Sequence, residues 1–483
     1  MANEKRIGIL VVAYNAAGTL HQVLDRIPPE FRSRIAEVLI ADDASQDATH
    51  LVGLGYQQLG TDLPITVVRR PQNLGYGGNQ KAGYQWAIDQ GLDIVVLLHG
   101  DGQYAPELLP EIVAPLERDE ADAVFGSRML EKGAARKGGM PLYKYVGNRI
   151  LTTFENKAVG LHLSEWHSGY RAYSVAALKE IPFQNNANDF HFDSEIIVQL
   201  KEAGKRIAEV PIPTYYGDEI CYVNGMKYAK DVTSVALRYR AHKMGFGTGE
   251  LAFATRGYEL KTDGIDSSHQ RLLSWLRHRP SARVLDLGCS DGSLGALLVA
   301  DGHQVTGVDI EKLDGVQRLN DFYEADLDRG IPDEVGSDYD IVLCADVLEH
   351  VRDPEHLLRE AAARLRPGGT IMASVPNFGH WYPRTRVAFG LFDYDRRGIL
   401  DNGHVRFFTR RSFEHVIGRA GLQVRRREAV GLPLQVVERG GQTGQGSGGL
   451  ARAVSRVDEL AVAVRPTLFG YQFLYEVEAV PTR

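Results

Sequence analysis

Cysteine is scarce in this sequence, which has three in 483 residues. Cys221, Cys289 and Cys344 are scattered, without a Cys-x-x-Cys pair, so neither a disulfide framework nor a zinc site is predicted. Long apolar runs are also missing, since a run such as residues 94–98 has the length of a strand and a membrane-spanning helix needs about 20 residues. These absences predict a cytoplasmic protein without a transmembrane segment.

An excess of positive charge is missing as well. The chain has 55 Lys and Arg residues against 62 Asp and Glu residues, a net charge of −7, so it lacks the basic composition typical of a nucleic-acid-binding protein. Its 44% hydrophobic and 24% charged residues are those of a folded protein, and its length favours two or three domains. The composition therefore predicts a multidomain folded protein that does not bind nucleic acid.

A glycine-rich turn more than halfway along the chain divides it into two parts. An apolar strand ending at Leu287 leads into Gly288, Gly292 and Gly295, and a second strand ends in Asp309. In a βαβ unit this carboxylate faces the turn, where it can accept hydrogen bonds from a ribose diol. The glycines are spaced G-x-x-x-G-x-x-G rather than G-x-G-x-x-G, which favours a ligand without phosphates.

This pattern resembles motif I of the class I S-adenosylmethionine-dependent methyltransferases. Four further segments match in the family's order, at residues 325–327, 339–344, 346–351 and 365–369. The resemblance implies a Rossmann-like fold, S-adenosylmethionine as cofactor, and an acid at position 286 that faces the methionine part of the cofactor. The cofactor-binding residues that it implies are Asp286, Gly288, Gly292, Asp309, Asp326 and Leu327.

Strands and helices are predicted to alternate through the first half of the chain, which indicates a largely parallel sheet with ligands at the carboxyl ends of its strands. Asp42 and Asp43 follow the second expected strand, and Asp101 follows the fourth. The pair can bind the base or ribose of a nucleotide while Asp101 binds Mg²⁺ or Mn²⁺ on its diphosphate. The alternative for the pair is an N-cap of the next helix.

Four segments of this half resemble motifs of the inverting family 2 glycosyltransferases of the GT-A fold, closest to the dolichyl-phosphate mannose synthase-like branch: residues 42–45, 99–103, 126–128 and 168–171. The resemblance covers roughly residues 5–228. It implies a UDP- or GDP-linked nucleotide-sugar donor and a sugar, glycolipid or polyprenyl-phosphate acceptor. The substrate-binding residues that it implies are Asp42, Asp43, Asp101, Gln103, Arg128 and Arg171.

One departure from this family concerns the metal. His99 stands where the first Asp of the family's DxD motif is expected, so metal binding rests mainly on Asp101. His99 is then a weaker metal ligand, a donor to phosphate or a strand-end residue.

Asp193 and Glu195 lie where family members carry an acidic motif near the acceptor. On an extended segment they share a face, whereas at the start of a helix they cap it and favour its dipole. If the acceptor is a hydroxyl, one of them is the catalytic base, and if it is a lipid phosphate, they only position it. The basic, glycine-rich residues 130–145 form either an acceptor loop or a solvated loop.

In the second half, residues 376–382 and 403–409 are rich in aromatic and histidine side chains for connecting segments, as expected of an acceptor pocket. His404 and then His350 are the candidate bases for methyl transfer to a hydroxyl, because imidazole titrates near neutrality. The alternative is a structural role, with His350 beginning a helix. Residues 228–243 predict either a helix that packs between domains or one that touches an anionic membrane surface.

Together these patterns predict an α/β protein of two domains, a GT-A-type glycosyltransferase domain over residues 1–246 and a Rossmann-like methyltransferase domain over residues 247–483. The expected activity is bifunctional, with sugar transfer and O-methylation on one pathway, and contact with the membrane is peripheral if it occurs. Two alternatives stay open: a methyltransferase with a degenerate sugar-binding module, and a scaffold without turnover.

Overall fold

The structure is a computed structural model of the chain. It describes residues 5–59, 62–214, 224–243, 246–247, 267–277, 279–395, 398–432 and 449–480. The chain divides into two compact units, made mainly of Met1–Arg240 and of Arg256–Arg483. Each unit contains a seven-stranded sheet with helices, which confirms the predicted α/β class. The domain boundary at residues 246 and 247 stays a prediction.

The sheet of the first unit has the strand order β3-β2-β1-β4-β6-β5-β7, and β6 runs antiparallel to β4 and β5 while the other pairs are parallel. Its strands are β1 Ile7–Ala13, β2 Ile35–Asp42, β3 Ile65–Arg69, β4 Ile94–His99, β5 Ala123–Ser127, β6 Arg171–Ser174 and β7 Ile207–Pro211. Because side chains alternate between faces, β1 sends Leu10 into one core cluster and Ile9 and Val11 into the other. The sheet is therefore covered on both faces, as a parallel sheet requires.

The helices of the first unit cover these two faces. They are α1 Leu20–Asp25, α2 Pro29–Arg32, α3 Thr49–Gln58, α4 Tyr76–Asp89, α5 Leu109–Glu117, α6 Ala134–Lys137, α7 Leu142–Val159, α8 Val175–Lys179, α9 Phe192–Glu202 and α10 Gly225–Lys243. The segment expected to be a loop, residues 130–145, instead holds α6 and the start of α7.

The sheet of the second unit has the order β10-β9-β8-β11-β12-β14-β13, in which β14 runs antiparallel to β12 and β13 while the other pairs are parallel. Its strands are β8 Arg283–Leu287, β9 Gln304–Asp309, β10 Asp321–Glu324, β11 Tyr339–Ala345, β12 Leu365–Pro376, β13 Leu422–Val430 and β14 Gln472–Ala479. Its helices are α11 Ser268–Leu276, α12 Ser293–Ala300, α13 Pro354–Ala363, α14 Trp381–Ala388, α15 Arg410–Arg419, α16 Gly449–Val464 and α17 Pro466–Phe469.

Two features of the composition can be placed on this fold. Cys289 and Cys344 are buried free thiols, and Cys221 lies outside the described residues. Within the parts of the chain that the structure describes, none of the helices combines the length and apolar character needed to cross a membrane.

Candidate active sites

The two carboxylates at the end of β2, Asp42 and Asp43, have different hydrogen-bond partners. Asp43 accepts hydrogen bonds from the backbone N–H groups of Leu74 at 2.8 Å and Gly75 at 3.1 Å, so it holds the loop that enters α4. Burial raises the pKa of the Asp43 carboxyl against the effect of these hydrogen bonds. Asp42 is fully buried and accepts one bond, from the Ser45 N–H at 3.0 Å. Its Oδ2 lies 3.5 Å from Nε of Arg69 and has no hydrogen bond to the described residues.

The N-cap alternative for this pair is wrong. Helix α3 begins at Thr49 after Ala48, and it is Asp47 that accepts the Thr49 N–H at 2.9 Å. Asp42 therefore keeps an acceptor oxygen at the edge of the sheet where ligands are expected.

His99 and Asp101 follow β4 but lie in different environments. The His99 ring packs edge-on against Tyr104 at 5.0 Å and Tyr76 at 5.6 Å between centroids, and its Nε2 is 3.5 Å from the Tyr76 hydroxyl. Burial lowers the pKa of His99 more than nearby carboxylates raise it. Asp101 is exposed in the following turn, where it accepts the N–H of Gln103 at 3.0 Å. Asp101 thus offers a carboxylate to a ligand, while His99 is enclosed by tyrosines.

Arg128 is held in place directly after β5. Its Nε donates to Oε1 of Glu165 at 3.0 Å, and its backbone N–H donates to Oε2 at 2.8 Å. Asn148 also donates to Oε1, at 2.8 Å. Burial alone would raise the pKa of the Glu165 carboxyl, but the charge and hydrogen bonds of Arg128 outweigh it and lower this pKa. Glu165, which the sequence analysis did not single out, fixes the orientation of Arg128.

Arg171 and Asp193 form the buried centre of the first unit. The Arg171 guanidinium donates to the carbonyls of Trp166 at 2.7 Å, Ser168 at 2.8 Å and Asp193 at 3.0 Å. It also lies 3.7 Å from Oδ2 of Asp193, which accepts the Tyr76 hydroxyl at 2.9 Å. Oδ1 of Asp193 is buried without a hydrogen bond to the described residues. Asp193 is therefore positioned from two sides and retains one free acceptor atom.

Asp193 and Glu195 both lie in the first turn of α9, so the extended-segment alternative is wrong. Glu195 accepts the Ala187 N–H at 2.6 Å, and its other oxygen is 3.3 Å from Nη2 of Arg238. Both oxygens of Glu195 are thus engaged within the fold. The geometry brings Asp193, but not Glu195, together with Arg171 and His99.

In the second unit, the glycine turn approaches its neighbours closely. Gly288 and Gly292 have φ of +72° and +71°, and a Cβ on Gly288 would lie 2.6 Å from Val347. The N–H of Ser290 donates to Oδ2 of Asp309 at 2.7 Å, so the carboxylate at the tip of β9 does face the turn. The turn and the Asp309 carboxylate therefore meet at the carboxyl ends of β8 and β9, where ligands of such sheets bind.

Asp286 is the buried acid beside this turn, with 2% of its surface exposed. Its Oδ2 has no hydrogen bond to the described residues. Burial, and then the neighbouring charge of Asp309, raise the pKa of Asp286 to about 7. The carboxylate is therefore costly to the fold as long as nothing donates to it.

Asp326 and Leu327 lie next to Asp309, whose carbonyl accepts the Ala325 N–H at 2.8 Å. Oδ1 of Asp326 accepts the Asp328 N–H at 3.0 Å, and Leu327 is buried. This segment therefore follows β10 at the same end of the sheet as Asp309.

The two candidate bases of the second unit meet, although they are far apart in sequence. The rings of His350 and His404 lie 4.8 Å apart between centroids. Burial first, and then His350, lower the pKa of His404. His350 does not begin a helix, because α13 starts at Pro354 after Asp353. Nε2 of His404 is 3.9 Å from Oε1 of Glu349, an acid that the sequence analysis did not select.

Family models match both units. The model described as glycosyl transferase family 2 matches residues 8–182, and the model described as methyltransferase domain matches residues 257–426.

Curated relatives match the two units separately. A UDP-N-acetylglucosamine–dolichyl-phosphate N-acetylglucosaminyltransferase of Methanococcus voltae is 29% identical over 44% of this chain and 87% of the relative. An undecaprenyl-phosphate mannosyltransferase of Micrococcus luteus is 29% identical over 43% and 82%. A ubiquinone biosynthesis O-methyltransferase of Xanthomonas campestris is 37% identical over 23% of this chain, and the chain spans 48% of its length.

Solved structures match more distantly. Glucosyl-3-phosphoglycerate synthase of Mycobacterium tuberculosis with UDP has 19% identity and a TM-score of 0.38 over 49% of this chain and 80% of its own. A SAM-dependent methyltransferase of Archaeoglobus fulgidus has 17% identity and a TM-score of 0.29 over 43% of this chain and 91% of its own.

Proposed function

We propose that this chain, which joins a family 2 glycosyltransferase domain to a methyltransferase domain, transfers a sugar from a UDP- or GDP-linked donor to a polyprenyl phosphate and O-methylates a related glycan. The observation that carries the proposal is a buried carboxylate oxygen near the carboxyl edge of each sheet, Oδ2 of Asp42 and of Asp286, which accepts no hydrogen bond from the described residues. Oδ2 of Asp42 also lies 3.5 Å from Nε of Arg69, in an ion pair. Buried acceptors are normally satisfied, so a ligand is the expected partner of each. In this proposal the domains are residues 1–246 and 247–483.

Product analysis tests both activities together. The full chain would receive UDP- or GDP-sugars, a polyprenyl phosphate, Mn²⁺ and S-adenosylmethionine, and products would be read by mass. We expect a species that carries both the sugar and a methyl group. A product that lacks either addition while both donors are present contradicts the joint proposal.

In the first domain, the donor is held by groups on three strand ends. Asp42 is the acceptor for the base or ribose, Arg128 is locked by Glu165 for contact with an anionic group, and Asp101 faces solvent. An exposed carboxylate fits a hard divalent cation, so Mg²⁺ or Mn²⁺ would be held by Asp101 together with the donor phosphates. When bound, such an ion supplies charge stabilisation for the departing diphosphate. His99 does not fit a ligand role well, because tyrosines enclose its ring.

The relatives that match this domain are named as transferases to dolichyl phosphate and undecaprenyl phosphate, which favours a polyprenyl-phosphate acceptor. An ionised lipid phosphate needs no catalytic base. Asp193, held by Tyr76 and Arg171, then orients the acceptor rather than removing a proton.

Replacing Asp193 with Asn tests which kind of acceptor is used. With a polyprenyl phosphate we expect kcat to fall less than about tenfold, whereas a hydroxyl acceptor would lose roughly 100- to 10,000-fold because general-base catalysis contributes that much. Initial rates with both acceptors measure the difference. Asp189→Asn, a half-buried acid on the same segment, is the control and should leave both rates unchanged. A large loss with polyprenyl phosphate contradicts the assignment.

In the second domain, the residues present fit S-adenosylmethionine. Asp286 has a buried acceptor oxygen free for the cofactor's amino group, and Asp309 lies beside the turn where it can accept from a ribose diol. S-adenosylmethionine supplies an electrophilic methyl group when bound. Burial, and then the neighbouring His350, lower the pKa of His404, which favours the neutral imidazole. His404 and His350 would lie on the acceptor side of the site.

A lipid acceptor requires contact with a membrane, and α7 offers a surface for it. Leu142, Tyr143 and Ile150 are 61%, 73% and 63% exposed, and Lys144 and Arg149 are interspersed with them. A groove of about 550 Å³ is lined by Tyr145, Val146, Arg149, Ile150, Thr153, Phe154 and Lys157. Apolar and basic side chains on one helix are typical of segments that lie on an anionic bilayer. We therefore propose a cytoplasmic protein that contacts the inner membrane face through this α7 surface.

The double change Leu142→Ser and Ile150→Ser should weaken binding to vesicles of phosphatidylglycerol and phosphatidylcholine at least tenfold. Each substitution removes roughly 1–2 kcal/mol of the favourable free energy of transferring an apolar side chain from water into the bilayer. Co-flotation with the vesicles measures the affinity. Leu51→Ser on α3, where the leucine is 67% exposed, is the matched control and should have no effect. Equal losses in both variants, or none, would remove α7 from the proposal.

A further inference from the structure

Three side chains that ligate metals in other proteins meet in the second unit after β11. Glu349, His350 and His404 each place one ligand atom within 4.8 Å of those of the other two. The cluster is on the same side of the sheet as the glycine turn, because β11 runs parallel to β8 with Leu343 opposite Asp286. It therefore lies at the sheet edge to which the methyl donor is assigned.

Both imidazoles are oriented as metal ligands usually are. Nδ1 of His350 lies 3.0 Å from the carbonyl oxygen of Gly403, and Nδ1 of His404 lies 3.3 Å from that of Ile399. A ring that donates Nδ1–H to a carbonyl has its lone pair on Nε2. Such backbone contacts fix the tautomer and direction of ligating histidines.

Burial also favours a cation here. Glu349 is 1% exposed and His404 is 8% exposed, so the carboxylate lies almost entirely out of water. A buried carboxylate is stabilised by a nearby positive charge. His350 is exposed, which leaves a path from solvent to the cluster.

A second cluster with similar spacing is less buried. Asp189, His191 and Asp231 also come within reach of one another, but all three are partly exposed. Lys227 already pairs with both carboxylates of that cluster.

We propose that Glu349, His350 and His404 bind one divalent cation on the acceptor side of the methyl-transfer site. Two imidazoles and one carboxylate favour Mn²⁺, Fe²⁺, Co²⁺ or Zn²⁺ over Mg²⁺. With the ion bound, His350 and His404 would be its ligands rather than catalytic bases, and the ion would lower the pKa of an acceptor hydroxyl. Three protein ligands leave coordination positions for the acceptor, so the substrate class is a compound with a hydroxyl next to a second oxygen, such as a sugar diol. This substrate assignment rests on the proposed methyltransferase activity, whereas binding of the ion does not.

The test uses the full chain carrying Asp101→Asn, so that an ion at the nucleotide-sugar site does not contribute. Chelator-treated protein is titrated with Co²⁺, and visible absorption and calorimetry are recorded. We expect one bound ion with absorption typical of nitrogen ligation, and at least tenfold weaker binding in His404→Gln and in His350→Gln. His350 is exposed, so its variant should fold even if the other does not. His356→Gln removes another histidine paired with a carboxylate, Glu360, and should bind Co²⁺ normally.

Unchanged Co²⁺ affinity in the His350 variant, or no cobalt absorption in the starting protein, overturns the site. Complete methyl transfer by metal-free protein that binds no Co²⁺ also overturns it and leaves the proposed activity intact. Co²⁺ binding that depends on His350, without methylation of any glycan, supports the site and contradicts the proposed activity instead.

Discussion

Replacing Asp286 with Asn is expected to stabilise the second unit at pH 8 and, at the same time, to weaken S-adenosylmethionine binding at least tenfold. Burial and Asp309 raise the pKa of Asp286 from 3.8 to about 7. Because folding raises this pKa, the protonated Asp286 carboxyl makes its full contribution to stability below about pH 4, and that contribution is lost as the pH rises through 7. Above pH 7 the ionised carboxylate therefore opposes folding, by roughly 1–4 kcal/mol at most. Asn removes this cost together with the negative charge that receives the cofactor.

Unfolding of the second unit at pH 5 and pH 8, with and without S-adenosylmethionine, measures both effects. The gain in stability should be larger at pH 8, and the cofactor should no longer raise the unfolding midpoint. Asp301→Asn removes an exposed acid of the same unit and should change neither quantity. A variant that is less stable than the parent at pH 8, or that binds the cofactor normally, contradicts the role given to Asp286.

The opposing effects of this one change follow from how a ligand site is built. A carboxylate whose Oδ2 has no internal donor is less stable than a satisfied one, and a ligand that donates to it recovers the difference as binding free energy. Stability and affinity are therefore expected to move in opposite directions at Asp286.

Local sequence signals predicted the parts of the fold that depend on neighbours in the chain. The strand expected at residues 283–287 is β8, and the carboxylate expected at the tip of the next strand, Asp309, faces the glycine turn. Apolar runs that end at a glycine or an acid are short-range patterns, so they can be recognised without tertiary information.

The start of helix α4 depends on tertiary contacts, which the sequence alone does not reveal. Helix α4 begins at Tyr76, before Gly77 and Gly78, although glycine usually weakens a helix. A Cβ on Gly77 would lie 2.4 Å from the carbonyl oxygen of Ala187, so glycine is required there by packing. This start also brings Tyr76 to Asp193.

The same limit applies to the sites. Glu349 follows β11, and its neighbour His404 comes from a distant loop, so no local pattern joins them. The division between Asp42 and Asp43 likewise depends on the loop at Leu74, which only the folded chain places beside β2. Sequence identified the acidic pair, and the structure identifies which of its oxygens is free.

Asp101 carries the other large expected effect. Asp101→Asn should lower the rate of sugar transfer roughly 100- to 1000-fold, because loss of a metal ligand removes several kcal/mol of charge stabilisation from the departing diphosphate. The carboxylate is exposed, and the described hydrogen bond to it comes from the Gln103 N–H. The substitution should therefore leave the stability of the first unit nearly unchanged. Initial rates over a range of Mn²⁺ concentrations should show a weaker dependence on the ion as well as a lower maximum.

Two further variants separate this role from a general effect of charge. Asp89→Asn removes an exposed acid on α4 and should keep the parent rate. His99→Asp restores an acid where the sequence departs from its family, yet we expect it to lower activity, because the new carboxylate would lie between Tyr76 and Tyr104 near Asp193. If Asp101→Asn transfers sugar at the rate of the parent protein, or if His99→Asp is more active than the parent protein, the metal would be assigned to His99 rather than to Asp101. The edge-on contacts of His99 with Tyr76 and Tyr104 argue for the opposite result, since they occupy its ring while Asp101 is exposed.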